Sequence, residues 1–386
     1  MKRLVLLGGG HAHVFVLQAL AQEPLPGVET VLVTPYERQV YSGMVPGVVA
    51  GHYAVDEAVI PLLPLVRQAQ VRRLLTSAVG LDAQARRVRL ADGNVLDYDV
   101  LSVATGAVAD RGAIPGAREH ALFVRPAEQF LQLMQRLRAL CADRPLDIVV
   151  IGGGAAGFEL ALGLSHALGE GAVATGSAGG SRVALVTGGG DPLSNYPAGV
   201  VARGLRALKR QRVTVLRSPC IGIEPGAVIL EQGTRVACDA PVVALGAAAA
   251  AWLQGSGLAL DERGFIATGS TLQSTSHPHV FAAGDVASRA DAPHAKSGVY
   301  AVRAGPALAL NLRRLLTGGE LLPHLPQQRT LNLLSCGDRH AIASWGRWSA
   351  EGRWVWRWKD RIDRAFIARF SVPGPAASGS PADPPW

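Results

Sequence analysis

The chain opens with a short apolar run, Val5-Leu6-Leu7, cut off by three glycines, Gly8 to Gly10. A brief run that is apolar at every position is the pattern of a strand buried on both faces of a parallel sheet. From His11 the apolar positions take helical spacing (Val14, Leu17, Leu20), and a second short run follows at Val31 to Val33. Strand, glycine loop, helix, strand is the opening of a doubly wound α/β layer. The same order returns about 144 residues later: Ile148 to Ile151, then Gly152, Gly153, Gly154 and Gly157, a helix through Phe158, Leu160 and Leu164, and a strand Val183 to Val186.

The remaining pattern fills in around this repeat. Tyr98 to Gly106 (YDVLSVATG) predicts a strand ending in a tight Thr-Gly turn, and Val242 to Gly246 is its counterpart in the second unit. Val280 to Ala283 predicts a strand that delivers Gly284 and Asp285 at its carboxyl end, followed by a helix over Val299 to Leu316 that Gly318-Gly319 stops. Gly169 to Ser181 is low in complexity and predicts a flexible surface loop. Near the end, Trp354, Trp356 and Trp358 alternate with Val355, Arg357 and Lys359 as in a strand, and from Asp360 the spacing of Ile362, Phe366 and Phe370 is helical. The expected fold is α/β: two Rossmann-like, doubly wound, three-layer nucleotide-binding domains, the second inserted in the first, plus a small C-terminal cap. The boundaries read as 1–109 with 265–325, 110–255 for the insertion, and 326–370 for the cap. The Pro/Gly/Ser-rich tail 371–386 predicts disorder.

Composition adds constraints. Of 386 residues, 48% are hydrophobic and 18% charged, an ordinary globular balance. The net charge of +8 is carried by arginine, because only Lys2, Lys209, Lys296 and Lys359 are lysines. Such a surface suits an anionic cofactor or an acidic membrane, or is simply solvated; without a spread basic stripe it does not predict nucleic-acid binding. The four cysteines, Cys141, Cys220, Cys238 and Cys336, are far apart, which leaves no CxxC pair and no zinc spacing, so no metal is expected. The longest near-unbroken apolar run, Val242 to Leu253, has 12 residues, short of the ~20 a spanning helix needs. The N-terminal apolar run is too short for a secretory signal, so the expected location is cytoplasmic.

A glycine loop opening a helix is an anion site: the backbone can be approached closely, and the helix N-terminus offers unpaired N–H groups and positive dipole. The second loop, Gly152-x-Gly154-x-x-Gly157, is complete, whereas the first has His13 at the third glycine's place, which implies looser helix–strand packing. The acidic residue usual after each second strand is replaced by Thr34 and Thr187, and no arginine directly follows either strand to meet a 2′-phosphate. Thr34 retains a hydroxyl for a ribose.

These motifs, GGGHAH, YDVLSVATG, VVIGGGAAGFELA and TSHPHVFAAGD, resemble the pyridine nucleotide-disulfide oxidoreductase superfamily, in particular the branch of type II NADH:quinone and sulfide:quinone oxidoreductases. The stretches TPYERQVYSGMVPGVVAGHY, PHAKSGVYAVRAGP and LNLLSCGDRHAIASWGR resemble flavoproteins linked or fused to selenophosphate synthetase. The resemblance implies FAD, with NAD(P)H a candidate second nucleotide. It implies that Gly8, Gly10, His11 and Ala12 hold the pyrophosphate and that Gly284 and Asp285 hold the ribityl chain. Thr105 and Gly106 would turn beside the cofactor, and Ser42, Gly43, Met44 and Pro46 would wrap the isoalloxazine in a tight loop. Gly152, Gly154 and Gly157 would face NAD(P)H. Lys296 begins a KSGVY stretch similar to one near flavin and quinone in sulfide:quinone oxidoreductases, or it is a surface lysine at a helix start. Glu159 lies between flavin and nicotinamide, or is a glutamate favoured near a helix N-terminus. Cys336 is a lone nucleophile or a packed small residue.

Trp, Phe and Arg in 345–370, with seven basic against three acidic residues, fit a helix docked on a membrane's inner face or aromatics closing the core. Three functions follow as candidates: electron transfer from NAD(P)H through flavin to a quinone or similar acceptor, oxidation of sulfide or selenide, or a non-catalytic flavin-binding partner of a selenophosphate-synthesis enzyme. Donor, acceptor and oligomeric state stay open at this point.

Overall fold

The computed structural model describes residues 1–175 and 180–371. Two five-stranded parallel sheets organise it. In the first, Lys2–Leu7 is central, flanked by Val28–Val33 and Arg72–Leu74 on one side and by Val100–Val103 and Val280–Ala282 on the other. In the second, Asp147–Ile151 takes the central place, with Arg182–Val186 and Thr214–Leu216 on one side and Ala240–Val243 and Leu122–Phe123 on the other. The chain leaves the first sheet after Val103, builds the second and returns at Val280, so the second unit is inserted in the first. Each glycine loop leaves the carboxyl end of the central strand, beside the point where strand order reverses and such sheets open a crevice.

The central strand shows why the apolar run had no alternation. Leu4, Val5, Leu6 and Leu7 are all fully buried. Leu4 and Leu6 pack with Val14, Leu17 and Leu308 of the helices on one face. Val5 and Leu7 pack with Leu81 and Val88 of a three-stranded antiparallel meander on the other. A second such meander, from Cys220–Glu224 to Arg235–Ala237, occupies the matching slot of the second unit.

Three expectations are corrected. Ala155–Thr175 is one helix, so the start of the supposed loop 169–181 is helical, and residues 176–179 lie outside the described residues. Tyr41 to Pro46 is not a simple loop: a 3-10 turn at Ser42–Met44 runs into a helix at Val45–Val49 whose first turn holds Pro46, where the missing N–H costs nothing. The tryptophan-rich segment is a helix, Arg353–Arg369, preceded by the antiparallel strands Asn332–Ser335, Ala341–Trp345 and Trp348–Gly352. Positions 354 and 358 fit a helix as well as a strand, and here their rings stack with centroids 6.4 Å apart. The expected disorder of 372–386 lies outside the described residues.

The tail helix packs back on the first unit. Phe366 stacks on Tyr41 with ring centroids 4.4 Å apart, and Phe370 meets Phe15 edge-on at 4.9 Å.

Candidate active site

A cavity of about 530 Å³ opens between the carboxyl ends of the first sheet and the start of the helix Ala155–Thr175. Its floor is the first glycine loop. Gly8 has φ +90°, and a Cβ on Gly10 would overlap the Ala104 carbonyl, so these two positions need glycine to lie against Ala104 and Thr105. The N-terminus of the helix His11–Gln22 then faces the cavity. Gly8, Gly10, His11, Ala12, Thr34, Ser42, Pro46, Thr105, Gly106, Gly284 and Asp285 all line it. Five separated stretches of sequence thus meet at one place. Met44 lies buried behind this wall, and the Gly43 carbonyl accepts a hydrogen bond from Lys359 Nζ at 2.7 Å.

His13 bridges the glycine loop and the neighbouring strand. Its ring is fully buried, with Nδ1 2.6 Å from the Gly8 carbonyl and Nε2 2.8 Å from Ser102 Oγ. A carbonyl only accepts, so Nδ1 carries the proton and the Ser102 hydroxyl donates to Nε2. Burial holds its pKa down to about 4, and the ring fills the space the missing glycine leaves as a neutral bridge. His11 is likewise held to about 4, burial outweighing the attraction of Asp285, and its buried Nε2 has no partner. That leaves a polar atom in the wall for a ligand to satisfy.

Three charged residues that sequence reading missed also line the cavity. Arg125 donates to Asp285 Oδ2 at 2.7 Å, and Arg38 pairs with Glu128 at 2.9 Å. The one local signal for Arg125 is its place just past the strand Leu122–Phe123, at a sheet's carboxyl edge.

Glu159 sits where the two units meet. It lines the cavity from the helix that the second glycine loop opens, and its Oε1 accepts the Ser335 N–H at 2.7 Å. Burial raises its pKa to about 7, against the pull of Lys359. Lys359 also donates to Asp363 at 2.7 Å, and both side chains are nearly inaccessible. Asp363 is a hydrogen-bond partner of the Tyr41 hydroxyl, whose pKa is raised by burial first and then by this carboxylate. Gly152, Gly154 and Gly157 form the second loop, outside the cavity wall, with Ala156 of their helix inside it.

Two singled-out residues lie elsewhere. Lys296 does not line the cavity, although Ser297 beside it does: Nζ donates to the Ala287 carbonyl and rests 3.9 Å over the Phe265 ring. Partial burial lowers its pKa to about 8. Cys336 is buried in the apolar core and its thiol pKa is pushed up by burial, the reverse of what a nucleophile needs. All four cysteines are free.

Residues 2–307 match the family described as pyridine nucleotide-disulphide oxidoreductase. The chain belongs to that family. Among its relatives, an NADH dehydrogenase-like protein of Mycobacterium tuberculosis is 31% identical over 247 residues, which is 61% of this chain and 60% of the relative. The demethylphylloquinone reductase NdbB of Synechocystis is 25% identical over 364 residues, 89% of this chain and 86% of the relative. The match therefore spans about 60% of the mycobacterial protein's length. The fold is that of NDH2 from Plasmodium falciparum, solved with NADH, at a TM-score of 0.80 and 12% identity over 96% of this chain and 97% of the other. The sulfide:quinone oxidoreductase of Aquifex aeolicus gives a TM-score of 0.77 at 18% identity, over 96% and 91%. As a pyridine nucleotide-disulphide oxidoreductase the chain departs from the family name in one respect, since it has no CxxC pair.

Proposed function

We propose that this protein is an FAD-dependent NAD(P)H dehydrogenase that passes electrons to a quinone or similar acceptor. The observation that carries this reading is the meeting of the two glycine-loop units at one cavity. The residues fit FAD: the Gly8–Gly10 cradle and helix N-terminus suit its pyrophosphate, Asp285 suits its ribityl hydroxyls, and the unpartnered His11 Nε2 offers a further polar contact. When bound, the flavin supplies the chemistry of taking a hydride and releasing electrons. Arg125 holds Asp285 in place. Glu159 carries a proton at its carboxyl below about pH 7 and faces the cavity, so it can deliver that proton to the reduced acceptor.

The test is an absorbance spectrum of the purified protein followed by anaerobic titration with NADH and NADPH. A flavin spectrum bleached by either nucleotide is the expected result. A colourless protein that takes up no FAD, or a flavin that neither nucleotide reduces, would overturn the reading. Sulfide in the same titration separates the sulfide or selenide alternative, to which the buried, protonated Cys336 lends no support. Association with a selenophosphate synthetase rests on the sequence resemblance.

We also propose that the protein docks on the inner face of a membrane. Trp354, Trp358 and Ile362 are exposed along the tail helix among the exposed Arg353, Arg357 and Arg361, the mixture an interfacial helix uses on anionic lipid. Among the described residues no helix is long and apolar enough to cross a membrane.

A further inference from the structure

We propose that Asp191 and Arg217 form the adenosine-ribose subsite of the second glycine loop, and that Arg217 makes this site favour NADPH over NADH. The inference rests on the nicotinamide-donor reading above. In sheets of this kind the ribose lies at the end of the second strand, where an acid binds the 2′-hydroxyl or a nearby arginine takes a 2′-phosphate. Here that strand, Arg182–Val186, ends in Thr187. The Thr187 hydroxyl donates to the Gly190 carbonyl at 2.5 Å, so its proton is already committed.

Charge reaches the place from two other segments. The Thr187 N–H donates to the Leu216 carbonyl at 3.0 Å, which sets the strand end beside Arg217, the next residue. The loop after Thr187 turns back on the glycine loop, where the Leu193 N–H donates to the Gly153 carbonyl at 2.7 Å, and it carries Asp191. A Cβ on Gly153 would come within 3.0 Å of the Thr187 Cβ, so glycine loop and strand end are in contact. Around Gly154, Gly188, Gly189 and Gly190 there is open space. Asp191 follows Gly190 directly and pairs with Arg217, whose Nε donates to Oδ1 at 2.7 Å, the Arg217 and Asp191 side chains being 48% and 44% exposed.

The chemistry favours a phosphate. The bond to Asp191 uses Nε and leaves the terminal nitrogens as a fork for phosphate oxygens. The same bond matches the carboxylate's charge, which would otherwise repel a 2′-phosphate. An exposed pair adds little to stability, so its removal tests binding without risk to the fold.

The experiment uses the flavin-loaded enzyme and two probes, adenosine 2′,5′-bisphosphate and adenosine 5′-monophosphate, bound in a calorimeter, alongside KM for NADPH and NADH. The wild type should bind the bisphosphate at least about tenfold more tightly. Arg217→Leu should weaken the bisphosphate and raise the NADPH KM by roughly 10- to 100-fold, and should change the monophosphate affinity and the NADH KM far less, so that the ratio between the two probes collapses. Failure of both probes to bind, equal loss for both, or an unchanged ratio in Arg217→Leu overturns the inference. If the probes discriminate through Arg217 but neither nucleotide reduces the flavin, the subsite stands and the dehydrogenase reading falls. If NADH reduces the flavin normally and the ratio ignores Arg217, only the subsite falls.

Discussion

Asp285 and Arg125 meet 2.7 Å apart from segments 160 residues distant, one at the end of a first-sheet strand and one just past a second-sheet strand. With Asp285 as the acceptor for ribityl hydroxyls, Asp285→Ala should weaken FAD binding roughly 10- to 100-fold, and Arg125→Met about tenfold. Fluorescence titration of the apoprotein measures both, and unchanged affinity in Asp285→Ala would remove the contact assigned to it. At Glu159 the carboxyl has a pKa of about 7 because burial disfavours its charged form. Turnover should therefore fall as pH rises through about 7. Glu159→Gln should erase that inflection and lower kcat more than it changes KM; a profile that keeps the inflection assigns it to another group.

The tail helix is held by a buried ion pair rather than by apolar contact alone. Lys359→Met would strand the Asp363 carboxylate, 4% exposed, and should destabilise the protein by about 3–5 kcal/mol in urea unfolding. Lys359→Met with Asp363→Leu should recover most of that loss; no recovery would mean that the helix depends on the charge itself. Elements of this kind were only partly legible in the sequence. The strand–glycine–helix units were readable because glycine loops and all-apolar strands answer to local backbone demands. In the tail the helical spacing from Asp360 holds, whereas 354–359 reads as a strand because Trp354 and Trp358 satisfy both periodicities, and only packing, such as that of Trp356 against His52 and Tyr53, decides between them. Arg125, Arg38 and Glu128 were invisible because their partners are 90 to 160 residues away. For Lys296 the resemblance left two readings open, near the flavin or at a surface helix start, because a motif gives a position and no direction for a side chain, which lies over Phe265.

Across the molecule, buried titratable groups set how stability follows pH. His11 and His13 are depressed to about 4, so the stability they contribute is full above the ordinary histidine value of 6.5 and is lost as pH falls toward 4. His279, His294 and His324 are lowered as well and act in the same direction. Glu159, raised to about 7, acts oppositely: its contribution is full below the ordinary carboxyl value of 4.5 and is lost as pH rises through 7. Histidines outnumber it, so urea midpoints should climb from pH 5 to 6.5, and Glu159→Gln should steepen the climb; a flat or falling curve would show that these rings are not buried as neutral groups. The stacking of Phe366 on Tyr41 and the bond from Lys359 to the Gly43 carbonyl carry a consequence for biosynthesis. Gly43 and Lys359 leave the ribosome 316 residues apart, the cradle long before its clasp. The clasp bears on a cavity wall lined by Ser42 and Pro46, so emptying that cavity of FAD should loosen the helix Arg353–Arg369, and limited proteolysis should cut there sooner in the flavin-free protein than in the loaded one.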